Sequence, residues 1–135
     1  MSLASYIGTN VEIPLSDEDA EDLIIIGDCA SYKSDRQEVQ RNHFTTTYIY
    51  EITNDWGIEI LKYVYEPMLV NSKAKLLALC EMMDSYLKKG EFFELYSCWM
   101  GDESEKREGK ITLQLNNFNI ERIEMPEKTL VRFEK

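Results

Sequence analysis

The sequence has 135 residues, of which 44% are hydrophobic and 30% are charged, and its formal net charge is −10 at pH 7. This length and composition predict one globular domain over residues 1–135 and exclude a disordered or fibrous chain. Such an excess of acidic residues argues against the basic surface that nucleic-acid binding uses and against attachment to anionic membranes, so we expect neither partner.

The N-terminal segment is predicted to place short strands around an acidic stretch. Residues 5–13 indicate a bent strand or a strand pair with a turn at 8–10. Ser16 is a suitable N-cap for a helix that begins in the acidic residues after it. The aliphatic run Leu23–Ile26 then predicts a buried strand.

The middle of the chain is predicted to form a loop followed by a hairpin. The polar stretch 30–44 indicates a loop with a short helix near 36–41. Residues 45–53 are rich in β-branched and aromatic side chains, and 56–61 alternate in the same way. The Asn-Asp pair between these two stretches favours a tight turn, and this pattern predicts an antiparallel hairpin.

The clearest helical pattern covers residues 72–89. Ser72 provides an N-cap and Gly90 follows as the residue that ends the helix. The apolar residues recur at helical spacing and form one stripe, which Leu77, Met82 and Tyr86 widen. The stripe consists of Leu76, Leu79, Cys80, Met83 and Leu87.

Four strand-like stretches follow this helix, at 92–100, 110–115, 120–125 and 129–133. The charged segment 101–109 between the first two, with glycine at each end, indicates a solvated loop. Short turns rather than crossover helices join most strands, so the stretches predict an antiparallel meander. The expected class is α+β, with about six to eight short strands packed against one main helix.

Candidate catalytic residues are few in this sequence. His43 is the single histidine, and acid–base catalysis near neutral pH depends heavily on histidine. A pair with Cys29 is conceivable, but the preferred interpretation of His43 is a loop residue before a strand. A P-loop, a G-x-S-x-G or H-E-x-x-H motif, and a glycine-rich dinucleotide loop are all missing from the sequence. We therefore predict a protein that is not an enzyme.

The cysteines and the hydrophobic runs indicate a cytoplasmic location. Cys29, Cys80 and Cys98 are widely spaced and match neither a disulfide framework nor a thiolate zinc site. The longest aliphatic run has four residues, far fewer than the roughly 20 of a membrane span. The first residues do not have the pattern of a signal peptide. We expect reduced cysteines, no metal and no other cofactor.

Most of the net charge comes from the first thirty residues, which contain seven acidic residues and neither Lys nor Arg. The segment 17–22 does not fit a calcium-binding loop, because Asp22 stands where that loop needs glycine. A solvated acidic surface is therefore preferred to a metal site, and such a surface accelerates encounter with a basic protein. The predicted partner-binding residues are Asp17, Glu18, Asp19, Glu21 and Asp22, with Asp102, Glu103 and Glu105 of the later loop.

Four stretches of the chain, together with its length, carry a resemblance to a known type of protein. They are Ser5–Gly8, the acidic block 17–22, Trp56–Ile60 and Phe92–Trp99. With these features the chain resembles the small acidic immunity proteins encoded beside bacterial polymorphic or contact-dependent toxins. The resemblance implies a single-domain, non-enzymatic protein that binds one cognate toxin and covers its active site. The acidic surface in turn indicates a basic partner such as a toxin nuclease.

Two alternatives remain open at this point. The first is a small-molecule-binding domain or small enzyme with a pocket between helix 72–89 and the sheet, where Cys29, His43 or tyrosines supply polar groups. The second is an assembly protein whose edge strand pairs across a two-fold axis. A closed pocket with convergent polar atoms would favour the enzyme, whereas a filled core would favour the inhibitor.

Overall fold

The fold is α+β, as predicted, in a computed structural model that describes residues 3–17, 22–27, 33–52, 56–62 and 65–135. Within these residues one sheet has five strands, and neither described helix is long and apolar enough to cross a membrane. The elements in chain order are β1 (Leu3–Thr9), α1 (Lys33–His43), β2 (Tyr48–Glu51), α2 (Glu66–Tyr86), β3 (Phe92–Trp99), β4 (Gly109–Gln114) and β5 (Thr129–Glu134).

The strand order in the sheet is β2-β1-β3-β5-β4. All neighbouring strands run antiparallel except β4 and β5, which are parallel. The centre of the sheet is formed by β1 and β3, where Tyr6 faces Tyr96 on one side and Glu51 of β2 on the other. Since β1 is buried along its whole length, it carries side chains of the interior on both faces of the sheet.

Two layers cover the sheet, one on each face. Because successive strand residues point to opposite faces, Ile7 and Leu95 pack in one cluster with Leu76, Leu79 and other residues of α2. Their neighbours Tyr6 and Tyr96 pack instead with Val39 of α1 and Phe44 just after it. We call these the α2 face and the α1 face of the sheet.

The main helix begins earlier than predicted. It starts at Glu66, with Pro67 in its first turn, where the fixed φ of proline and its missing N–H cost nothing. Ser72 is therefore a buried residue inside the helix and not its N-cap. The other helix, α1, is also longer than the predicted 36–41.

The end of α2 is also earlier than predicted, at Tyr86. Lys135, the last residue of the chain, donates to the carbonyl oxygens of Asp84 (2.7 Å) and Leu87 (2.8 Å). These are carbonyls at the end of the helix, which lack a partner within it. Gly90 has a positive φ of 92° but lies beyond this cap.

The predicted hairpin of 45–53 with 56–61 is wrong. β2 pairs with β1, and residues 56–62 contain only an isolated bridge between Ile60 and Met125. The alternation in 56–61 arises because Ile58 and Ile60 are buried beside the sheet. Gly57 donates to the carbonyl of Leu3 (2.9 Å). Residues 53–55, the predicted turn, lie outside the described residues.

The predicted C-terminal meander is also wrong. β5 lies between β3 and β4, and β4 pairs parallel with it at the edge of the sheet. Residues 115–128 provide the connection of about a dozen residues or more that parallel neighbours require. Within that connection, 120–125 form no strand and contribute only Met125 to the bridge with Ile60. The sheet described therefore has five strands rather than six to eight.

Candidate functional site

The N-terminal acidic segment is attached to the edge of the sheet at β2. Gly27 and Glu51 exchange two backbone hydrogen bonds (2.7 and 3.0 Å), and Ile25 donates to the carbonyl of Ile52 (3.0 Å). Ser16 then pairs with Ile26, donating its N–H to the carbonyl (3.0 Å) and accepting from the Ile26 N–H at Oγ (2.9 Å). Ser16 and Ile26 therefore hold the two ends of the segment 17–25 together, and we call this segment the acidic loop.

The pairing of Ser16 with Ile26 bears on two predictions for this segment. The Ser16 hydroxyl accepts from Ile26, and residues 18–21, over which the predicted helix would continue, lie outside the described residues, so that helix stays a prediction. Leu23–Ile26 is not a strand, although Ile24 and Ile26 are buried as expected. Within this stretch Ile25 makes a single hydrogen bond, to Ile52 just after β2, and the isolated bridge to β2 itself is made by Gly27.

The described acidic residues of this loop are accessible, as predicted. Asp17 and Asp22 are exposed, whereas Glu18, Asp19 and Glu21 lie outside the described residues. Leu15 just before the loop and Leu23 within it are also about half exposed, at 51% and 50%. The loop therefore combines exposed carboxylates with exposed apolar side chains.

The second predicted group, in the loop 101–108, does not behave as one surface. Glu105 is exposed and Asp102 is partly buried, 4.0 Å from Lys128. Glu103 is only 2% exposed, so the expectation that it faces solvent is wrong. The described parts of the two predicted groups are also apart, because Ile24 of the acidic loop and Ile26 after it pack on the α2 face and Glu103 lies on the α1 face.

Glu103 is the centre of a buried polar cluster. Its carboxylate accepts from the Tyr6 hydroxyl (3.1 Å) and from the Gly101 N–H (2.9 Å), while its carbonyl accepts from His43 Nε2 (3.0 Å). The His43 ring stacks on Tyr96 at a centroid distance of 4.0 Å. These contacts fix the loop 101–108 to β1 and to the end of α1. His43 is therefore the buried last residue of α1, and not the loop residue that we expected.

Burial keeps the reactive side chains of the described residues uncharged. Burial lowers the pKa of His43, and the positive charge of Arg107 lowers it further. The hydrogen bond to the Glu103 carbonyl opposes this shift. Burial also raises the pKa of the Cys80 and Cys98 thiols to about 12. At neutral pH neither thiol is the thiolate that acts as a nucleophile. Cys29, and with it the conceivable pair with His43, lies outside the described residues.

The predicted pocket between the main helix and the sheet is filled by side chains. Leu76, Leu79 and Met83 are fully buried against the strands. A cavity of about 430 Å³ lies instead at the first turns of α2, where it is lined by the segments 60–62 and 121–124. The ion pair of Lys73 with Glu121 (2.9 Å) is at its border. In the described part of the chain, no group of three or more His, Cys, Asp or Glu is placed to hold a metal.

Among the described residues, the exposed large apolar side chains belong to two regions. Two lie in or next to the acidic loop, and the others belong to α2 or to the residue that precedes it. They are Leu15, Leu23, Tyr65, Met68, Val70, Leu77 and Tyr86. Sequence reasoning missed most of this surface, although the run of apolar residues at 67–70, outside the predicted helix, was a visible signal.

No family model matches the chain, and neither a curated protein nor a solved structure is found to be similar to it. The resemblance to immunity proteins therefore stays a prediction.

Proposed function

We propose that this protein is a non-enzymatic binding module of the immunity or antitoxin type. It binds a basic protein partner, such as a toxin nuclease, and covers the active site of that partner. The proposed contact consists of the five acidic residues of the acidic loop, Asp17, Glu18, Asp19, Glu21 and Asp22.

The observation that supports this proposal is the anchoring of the acidic loop. Asp17 directly follows Ser16, which is bonded to Ile26, and Gly27 is bonded to β2. Ends that are held in place lower the entropy that is lost on binding. Exposed carboxylates accelerate association with a positively charged protein and orient that protein during the encounter.

The state of the reactive side chains supports binding rather than catalysis. Cys80, Cys98 and His43 are buried, and each is neutral near pH 7 because burial shifts its pKa towards the uncharged form. A catalytic base or nucleophile must reach its substrate. The filled space between α2 and the sheet supports the same conclusion.

Capture of the partner from the cells of origin tests the proposal. The purified chain is immobilised, bound proteins are collected at low and at moderate salt, and the captured protein is purified for calorimetry and for an assay of its own activity. We expect a basic protein whose activity is lost at a one-to-one ratio and whose affinity falls as salt screens the charges.

Two matched charge variants sharpen this test. Asp17→Asn with Asp22→Asn should weaken binding about tenfold or more, because two exposed carboxylates of the contact are lost. The control, Glu105→Gln with Glu108→Gln, removes the same charge from exposed residues of the other loop and should change affinity by less than about twofold. Capture of no basic protein at either salt concentration, or equal loss in both variants, would contradict the proposal.

A further inference from the structure

The helix α2 has an apolar side that faces away from the sheet. Pro67, Val70, Ala74 and Leu77 follow one another at intervals of three and four residues, which places them on one side of a helix. Val70 is 60% exposed and Leu77 is 48% exposed. Apolar residues on two opposite sides of a helix are typical of a helix that is covered by protein on both of those sides. We call these four residues the outer stripe.

The charges around the outer stripe are acidic. Glu66 and Glu81 are exposed at its two ends. The two lysines of the helix are directed elsewhere, because Lys73 pairs with Glu121 (2.9 Å) and the buried Lys75 donates to the carbonyl of Trp56 (2.7 Å). A protein that covers the stripe therefore meets an apolar centre with a carboxylate at each end.

This charge distribution distinguishes between two occupants. A second copy of the chain would bring its own net charge of −10, and antiparallel packing of two α2 helices would place Glu81 of one copy near the Glu66 end of the other. Like charges at such a contact are unfavourable. A basic protein with an apolar side chain between lysines or arginines complements both parts of the surface.

We propose that the outer stripe is a docking surface for the basic partner, with Leu77 and Val70 in the apolar centre of the contact. This inference rests on the proposed function and extends it. The described ends of the acidic loop and α2 belong to the same side of the sheet, since Ile13, Ile24 and Ile26 pack in one cluster with the buried side of the helix. One partner covers both, with Asp17 and Asp22 in the charged rim and the stripe in the apolar core that interfaces commonly have.

Site-specific photocrosslinking in the cells of origin tests this inference. Benzoylphenylalanine replaces Leu77 in one variant, Leu23 of the acidic loop in a second, and the exposed Thr112 of β4 in a third. We expect adducts with the same basic protein from positions 23 and 77 and none from position 112. All three residues are at least partly exposed, so the variants should fold, and circular dichroism checks this.

The other outcomes overturn the inference in distinguishable ways. An adduct from position 23 without one from position 77 refutes docking on α2 and leaves the proposed function intact. An adduct of twice the chain mass from position 77 identifies a second copy as the occupant and refutes the basic partner there. An adduct with an acidic protein, or none from either position, refutes both proposals.

A binding measurement gives a second readout. With the captured partner, Leu77→Arg should lower the affinity about tenfold or more, since it places a large cation in the apolar centre of the contact. Thr112→Arg adds the same charge on β4 and should leave the affinity unchanged within about twofold. An equal affinity of the two variants would contradict docking on α2.

Discussion

On the α2 face of the sheet, Leu76, Leu79 and Met83 are fully buried against apolar strand residues, whereas the α1 face buries Tyr6, His43 and Glu103. Apolar packing is not directional, and it stabilises the folded protein in proportion to the apolar area that is removed from water. Buried polar groups are tolerated only where hydrogen bonds compensate for lost water. The α2 face therefore depends mainly on apolar packing, whereas the α1 face combines an apolar cluster with a few hydrogen bonds of defined geometry.

The hydrogen bonding of the α1 face is incomplete within the described residues. His43 Nδ1 and the hydroxyl of Tyr96 are buried without a partner there. An unpaired buried polar group costs about 1–3 kcal/mol. The polar contacts of the α1 face therefore depend on the protonation state of His43, whose pKa is lowered by burial.

The largest expected effect distinguishes the two sides of α2 itself. Leu79→Ala removes a fully buried side chain and should lower the free energy of unfolding by about 2–5 kcal/mol. Leu77→Ala, two residues away on the exposed side, should change it by less than about 0.5 kcal/mol. Urea denaturation followed by circular dichroism measures both. Similar losses in the two variants would show that Leu77 is covered within the chain.

A smaller effect is expected from the polar cluster on the α1 face. Glu103→Ala leaves the Tyr6 hydroxyl and the Gly101 N–H without their acceptor and should cost about 1–3 kcal/mol. Glu105→Ala is the control, because its carboxylate is exposed.

A double-mutant cycle isolates the Tyr6–Glu103 hydrogen bond in that cluster. Tyr6→Phe, measured alone and with Glu103→Ala, should reveal a coupling energy of about 0.5 kcal/mol or more. Additive losses would mean that the two side chains do not interact in solution.

The smallest effect is a dependence of stability on pH through His43. Because burial lowers its pKa in the folded protein below the ordinary 6.5, the unfolded chain takes up the proton first. The burial of His43 in its neutral form therefore reduces the stability of the folded protein only at low pH. The free energy of unfolding is highest above about pH 6.5 and falls progressively as pH decreases from there towards the pKa of His43 in the folded protein. Denaturation midpoints of the wild type and of His43→Gln, compared between about pH 7.5 and pH 5.5, measure this contribution. Parallel pH profiles of the two proteins would disprove it.

Local patterns were sufficient for several of the strands and for the buried side of α2. Leu76, Leu79, Cys80, Met83 and Leu87 are all buried, as their helical spacing predicted. The strands at 92–100, 110–115 and 129–133 are confirmed within one or two residues at their ends. Alternation and helical spacing are properties of neighbouring residues, and burial of one face follows from them directly. Leu77 was assigned to the buried side but is exposed, because it lies with Val70 on the side of the helix that faces away from the sheet.

The candidate site was predictable in part for the same reason. Asp17 and Asp22 are exposed, as a run of acidic residues indicates, since an unpaired carboxylate is costly to bury. Glu103 stands in an equally charged stretch and is buried nonetheless. Its burial is possible because the carboxylate accepts hydrogen bonds from the Tyr6 hydroxyl and the Gly101 N–H. Tyr6 is 97 residues away along the chain. Local composition carries no information about such a partner.

Local order along the chain thus determined the class of fold, the helix core and the acidity of the N-terminal segment, because propensity and periodicity act between neighbours. Long-range contacts decided that β2 pairs with β1, that β5 lies between β3 and β4, and that Glu103 is buried. Pairing and burial of this kind depend on which distant surfaces meet and on the hydrogen bonds available there. The separation of the two acidic groups onto different faces follows from that assembly.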